Sequence, residues 1–237
     1  MSSPQRLIPL HRARHTLYTL LFGSAVCTGM LLVRFACTGK LHFTGFFGNL
    51  LLAWIPMLLA LFIWRIPNEG RRRGWFWSAL VLWVLFYPNA FYITTDLIHF
   101  KKFGSDGMFR WFDLLMTTSF AAGGMFLGCL SLYLMHLFVR QRYGWKLGWV
   151  FAAGMLALGS FGIYLGRVLR LNSWDVVARP FKLLGDILAL IEPHSAREAA
   201  AFSVTFFFFS LVVYSFVVSM ARLHEIDLSA QDGTAAQ

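Results

Sequence analysis

Long apolar runs recur along the entire chain, and they constrain the fold more than any other feature. They lie at roughly 16–36, 46–64, 75–98, 113–139, 147–169 and 200–221. Each is long enough for a helix to cross a hydrocarbon core of about 30 Å at ~1.5 Å per residue. A backbone surrounded by lipid must satisfy its own polar groups, and a continuous helix does so within one segment. The expectation is therefore an all-α polytopic transmembrane helix bundle with six spans in one membrane domain, 16–222. Residues 1–15 read as a basic cytoplasmic segment. The acidic stretch from Glu225 onward, within 223–237, reads as a disordered cytoplasmic tail. Composition agrees with this class. The chain is 58% hydrophobic and 14% charged, where a soluble domain carries roughly 25% charged residues.

The N-terminus, with Arg6, Arg12 and Arg14 ahead of an apolar run, has the outline of a signal peptide. The run is too long for a signal h-region and lacks an A-x-A site, so it reads as a retained first helix. Cys27, Cys37 and Cys129 are scattered, with no CxxC and no disulfide framework.

The formal net charge of +10 would point a soluble protein toward nucleic acid. Here the basic residues sit in short segments beside apolar runs, where they set orientation instead. Arg6, Arg12 and Arg14 precede the first span. Arg65, Arg71, Arg72 and Arg73 follow the second, and Arg140, Arg142 and Lys146 follow the fourth. The first loop holds only Lys40, and the third and fifth balance their basic residues with acids. The strongly basic segments thus alternate, which puts both termini in the cytoplasm.

Two polar stretches then share the extracytoplasmic boundary. One is Tyr87 to Phe100, ending in Asp96 and His99; the other is Gly162 to Asp175, with Arg167, Arg170, Asn172 and Asp175. The intervals 75–96 and 146–167 are both 21 residues, about 31 Å of helix, so Asp96 and Arg167 should reach similar depth. Asp96 and His99, at i and i+3, share a helix face. With Asp113, expected to open the fourth span, they suit either a divalent cation or an acid–base pair. The competing reading is a polar helix end meeting water, and no metal is assigned. Arg167 and Arg170 present guanidinium forks suited to phosphate or carboxylate. The competing reading is internal pairing, Arg167 with Asp96 and Arg170 with Asp113 or Asp175. Asn172 suits an N-cap with Asp175 three residues on, and Trp174 an interfacial anchor.

Pro88 and Asn89 interrupt the third span, and Pro56 the second; a proline in a span frees backbone groups and kinks the helix. Gly124 with Gly128 and Gly162 with Gly166 are GxxxG pairs, with Gly159 just below. Intramolecular helix packing is their simplest use. His136 reads as a packing or snorkelling residue. Val177, Phe181, Leu184, Leu188 and Ile191 recur at helical spacing, as in a short amphipathic helix in the interface. No serine nucleophile motif, HExxH, nucleotide loop or haem motif is present, so no cofactor is expected.

Three stretches carry a family resemblance. Tyr87-Pro88-Asn89-Ala90 with Thr95-Asp96-Leu97 and His99 resembles the signature of the bacterial membrane proteins grouped as domain of unknown function 1361. Trp111-Phe112-Asp113 is similar to that family, as is Gly162-Ile163-Tyr164-Leu165-Gly166-Arg167 running through Arg170 to Asn172-Ser173-Trp174-Asp175. The similarity extends from about Arg71 to Phe216, and Phe91 departs from it where a second proline-like turn residue is expected. It implies a multi-pass bacterial inner-membrane protein and no particular reaction.

Three functions stay open: a membrane enzyme with Asp96 and His99 as acid–base groups and the arginines holding an anionic or lipid-linked substrate; a transporter or binding protein using the same charges; and a structural or assembly protein whose charges pair internally. The lipid bilayer is the expected partner, and protein partners are not specified.

Overall fold

The computed structural model describes residues 10–39, 43–66, 73–99, 108–169, 181, 185 and 193–234. These residues form an all-α bundle. Its helices are α1 (Leu10–Thr38), α2 (Thr44–Arg65), α3 (Arg73–Thr95), α4 (Met108–Tyr143), α5 (Trp145–Arg167) and α6 (Pro193–Thr234), with a 3-10 turn at Asp96–His99 directly after α3. All six helices are long and apolar enough to cross a membrane, as the sequence predicts, which fits a multi-pass membrane protein.

Successive helices alternate in direction. One end of the bundle collects the C-termini of α1, α3 and α5 and the N-termini of α2, α4 and α6. Contacts at that end tie α1 to α4, α2 to α3, and α3 to α5. This is called the polar end below, and the opposite one the basic end.

The bundle is built around α4, which packs on α1, α2, α3, α5 and α6. Its share of buried residues is the largest of the six spans, and those of α1 and α6 are the smallest. That order follows from position: α1 and α6 are peripheral and turn Phe22, Leu32, Phe208 and Phe216 outward. Apolar side chains facing outward at helical spacing are what a lipid-facing surface requires.

Glycine sets how closely the central helices approach. A Cβ on Gly124 would lie 2.7 Å from the Ala90 carbonyl oxygen, and one on Gly128 2.6 Å from the Phe91 ring. Across α5, a Cβ on Gly159 would meet the Tyr87 ring at 3.0 Å, and one on Gly162 the Pro88 ring at 2.7 Å. The segment Tyr87–Phe91 is therefore held between glycine faces of α4 and α5. Gly124, Gly128, Gly159 and Gly162 serve packing within the chain, as expected. The Pro88 ring occupies the space that Gly162 leaves.

Hydrogen bonds from indoles cross the apolar interior. Trp83 Nε1 donates to Ser131 Oγ (2.7 Å), which donates to the Pro56 carbonyl (2.9 Å), so α3, α4 and α2 are linked in sequence. Trp64 Nε1 donates to the Leu134 carbonyl (2.9 Å). His136 is buried, with Nδ1 2.7 Å from the Tyr214 hydroxyl and its ring edge-on to Trp149. It packs at the junction of α4, α5 and α6 and does not snorkel.

Three element boundaries differ from expectation. Helix α4 begins at Met108, so Asp113 lies in its second turn and does not open it. Helix α3 ends at Thr95, and Asp96 starts the 3-10 turn. Helix α6 continues to Thr234 through the acidic stretch expected to lack structure. Acidity alone does not break a helix; Ala221 to Ala230 contains no Pro or Gly and several good helix formers. The amphipathic segment expected at 177–191 lies outside the described residues except for Phe181, which is exposed, and Gly185.

Candidate functional site

Among the described residues, two buried ion pairs occupy the polar end. The first joins Asp96 to Arg167. Arg167 Nη1 donates to Asp96 Oδ1 (2.8 Å), and Nη2 donates to the Thr95 carbonyl (2.7 Å). That carbonyl belongs to the last residue of α3, one of the C-terminal groups a helix leaves without an intrahelical donor. Arg167 thus neutralises the acid and caps the negative end of the helix before it. The guanidinium also stands 5.4 Å from the centre of the Tyr92 ring, at cation–π distance. The second oxygen, Asp96 Oδ2, accepts from Asn49 Nδ2 on α2. One carboxylate therefore ties together α2, the end of α3 and α5. Its exposure is 7%, against 18% for Arg167.

The second pair joins Asp113 to Arg34. Arg34 Nε donates to Asp113 Oδ1, and Nη2 donates to Oδ2 (3.1 Å), the bidentate fork that guanidinium and carboxylate form best. Exposure is 4% for Arg34 and 0% for Asp113. The Asp113 carbonyl accepts from Thr117 Oγ1 one turn on (2.8 Å). This pair fixes α1 to α4, and the Arg34 guanidinium also lies 5.8 Å from the Phe43 ring just before α2.

The pairing expected for Arg167 with Asp96 is present. Arg170, expected to pair with Asp113 or Asp175, lies outside the described residues; the partner the structure describes for Asp113 is Arg34, which the sequence did not single out. An available signal was the lone arginine inside the first apolar run. Such a charge costs about 2.5–3.5 kcal/mol at a helix centre on the insertion scale, and so demands a partner. Asn49 and Tyr92 were missed for a different reason. An amide and a phenol in apolar helices carry no comparable demand, and only the packing of α2 and α5 against the end of α3 brings them to Asp96 and Arg167.

Asp96 and His99 occupy the first and last positions of one 3-10 turn, where residues three apart eclipse each other; the shared face holds for the backbone. The His99 side chain, Arg170, Asn172, Trp174 and Asp175 lie outside the described residues. Among the described residues no group of three or more His, Cys, Asp or Glu is placed to hold a metal ion.

The family model described as a protein of unknown function, DUF1361, matches residues 49–213. The chain belongs to the DUF1361 family. Asn49, Asp96, Asp113 and Arg167 fall inside the DUF1361 match, and Arg34 precedes it. No curated protein and no solved structure matches the chain.

Proposed function

We propose that this DUF1361 protein is a structural or assembly protein of the bacterial cytoplasmic membrane, with both termini cytoplasmic and its polar end extracytoplasmic, where its charges act as an internal clamp. The observation that carries this reading is that every oxygen of the two buried carboxylates is engaged inside the chain: Asp96 by Arg167 and Asn49, Asp113 by Arg34. A carboxylate so engaged is poorly placed to take a proton or bind a metal, and it holds helix ends in register. Among the described residues the clamp joins α1, α2, α3, α4 and α5.

The charge difference between the two ends supports the orientation. Arg65, Arg73, Arg140, Arg142 and Lys146 are exposed at the basic end, the pattern of a cytoplasmic face.

The test is a double-mutant cycle on the purified protein in detergent. Asp96→Asn and Arg167→Gln should each lower the melting temperature, and the double variant should show a coupling of roughly 0.5–3 kcal/mol. Single variants that keep wild-type stability would remove the clamp.

One observation favours a second reading. Arg167 keeps 18% exposure where Arg34 keeps 4%, so an anionic or lipid-linked ligand arriving at the polar end has a guanidinium to approach, with His99, Arg170, Asn172 and Asp175 following on the same two stretches. In that case Asp96→Asn and Arg167→Gln retain stability and lose a ligand-induced rise in melting temperature.

A further inference from the structure

Helix α1 is the most lightly packed of the six spans. Among its residues with described side chains, Cys27 and Arg34 are the buried ones. Leu17, Leu20, Met30 and Leu31 lie half-buried against the core, and Tyr18, Phe22, Leu32 and Val33 face outward. The helix lies chiefly on α4 and touches α2. A Cβ on Gly23 or Gly29 would meet nothing within 4 Å, whereas Gly124, Gly128, Gly159 and Gly162 bring α3, α4 and α5 into close approach. The glycines of α1 therefore do not draw it against a neighbour.

Two polar contacts hold it instead. Arg34 forks onto Asp113 of α4, and Trp54 Nε1 of α2 donates to Ser24 Oγ (3.0 Å). Ser24 and Arg34 are about 15 Å apart along the helix at ~1.5 Å per residue, so the ties grip it at two levels. In lipid, apolar burial drives little association, because acyl chains are as apolar as leucine; close packing and polar contacts decide. A helix with few packed residues depends on its polar ties. The neighbouring helices have others. Asp96 joins α2, the end of α3 and α5 without α1, and the chain from Trp83 through Ser131 to Pro56 joins α3, α4 and α2.

We propose that α1 is a lid, a separately docked helix latched by Arg34, which opens from a unit of α2–α6 that keeps its own packing and so uncovers Asp113 on α4. The proposal rests on the clamp reading and divides the clamp in two. The Asp96 half fixes the unit, and the Asp113 half holds the lid. Opening turns a carboxylate toward lipid, which is unfavourable, so the closed state is the ground state and the same pair drives reclosure. The protein is then two units of different stability and not one cooperative bundle.

Double electron–electron resonance on the full chain in nanodiscs tests this, in a Cys27→Ala/Cys129→Ala background. One pair of spin labels sits on Cys37 of α1 and Trp111→Cys of α4. The other, with Cys37→Ala added, sits on Phe47→Cys of α2 and Val168→Cys just after α5. All four positions are exposed. Each pair should give a single narrow distance distribution when Arg34 is present. Arg34→Gln should add a longer-distance population to the α1–α4 pair and leave the α2–α5 pair unchanged. Broadening of both pairs by Arg34→Gln keeps the clamp but makes α1 an integral part of one bundle, and overturns the lid. No change in either pair overturns the lid and the role of Arg34 in the clamp together. Failure of the clamp reading at Asp96 shows separately, as an α2–α5 pair that stays narrow in Arg167→Gln while Arg34→Gln still opens α1 alone. Should Arg34→Gln fail to fold, Ser24→Ala removes the other tie. It should lengthen the α1–α4 distance alone, and an unchanged α1–α4 pair in that variant overturns the lid.

Discussion

Arg34 shows what a single charge in an apolar helix requires. The helix-forming tendency of its neighbours places it in α1 regardless of its charge, and the Asp113 carboxylate on α4 offsets the cost of burying it. Removing one partner leaves the other charged and buried. Arg34→Gln and Asp113→Asn should each cost about 3–5 kcal/mol of unfolding free energy, measured by denaturant titration in detergent. The double replacement Arg34→Met/Asp113→Leu should recover most of that loss, since two apolar groups of similar volume leave no orphaned charge. If the double variant is less stable than either single one, the pair is not the principal tie between α1 and the bundle. Asp96 presents the same problem with a different solution. Its two oxygens are divided between a cation and an amide from separate helices, so its loss should loosen α2 as well as α5.

At the scale of the element, α3 decides the architecture because it is gripped on two sides. Close approach is available only where a neighbour lacks a Cβ, and the sequence supplies glycines on α4 and α5 opposite Tyr87–Phe91. Gly128→Leu and Gly162→Leu should therefore force α3 away from its neighbours, with a cost of at least about 1–3 kcal/mol from overpacking. Gly154 on α5 meets nothing within 4 Å, and Gly154→Leu should leave the melting temperature unchanged or slightly raised. Equal loss at all three positions would mean that the effect is on helix insertion and not on packing. The proline of α3 belongs to the same account. Pro88 fits against Gly162, which makes the interruption of the helix a packing feature as well as a backbone one.

Across the whole molecule the two ends are chemically distinct. At the polar end each described buried acid is matched to an arginine. The basic end keeps exposed arginines that no described acid meets. This division predicts orientation. In a variant lacking the native cysteines, Arg110→Cys should react with a membrane-impermeant thiol reagent added to intact cells, and Arg142→Cys only after permeabilisation. The reverse pattern would place the ion-pair clamp in the cytoplasm and overturn the orientation proposed above.

Much of this is legible in the chain alone. The six spans follow from the apolar runs, because a lipid environment permits little besides a helix for such segments. The level shared by Asp96 and Arg167 follows from depth, since equal helical rise from residues 75 and 146 on one side of the membrane brings both to it. The glycine pairs point to close packing because a missing Cβ has few other uses in an apolar helix. What the sequence could not determine is which helix faces which. Depth arithmetic brings Asp96 and Arg167 to one level but cannot single out Arg34 as the partner of Asp113, because helices of similar apolarity are interchangeable in any one-dimensional reading. Only the tertiary arrangement, with α4 at the centre and α1 laid against it, gives Asp113 to Arg34 and brings Asn49 to Asp96. The physical reason is that partner choice in a bundle is set by steric fit between helix faces, and that fit depends on all the side chains of both faces at once.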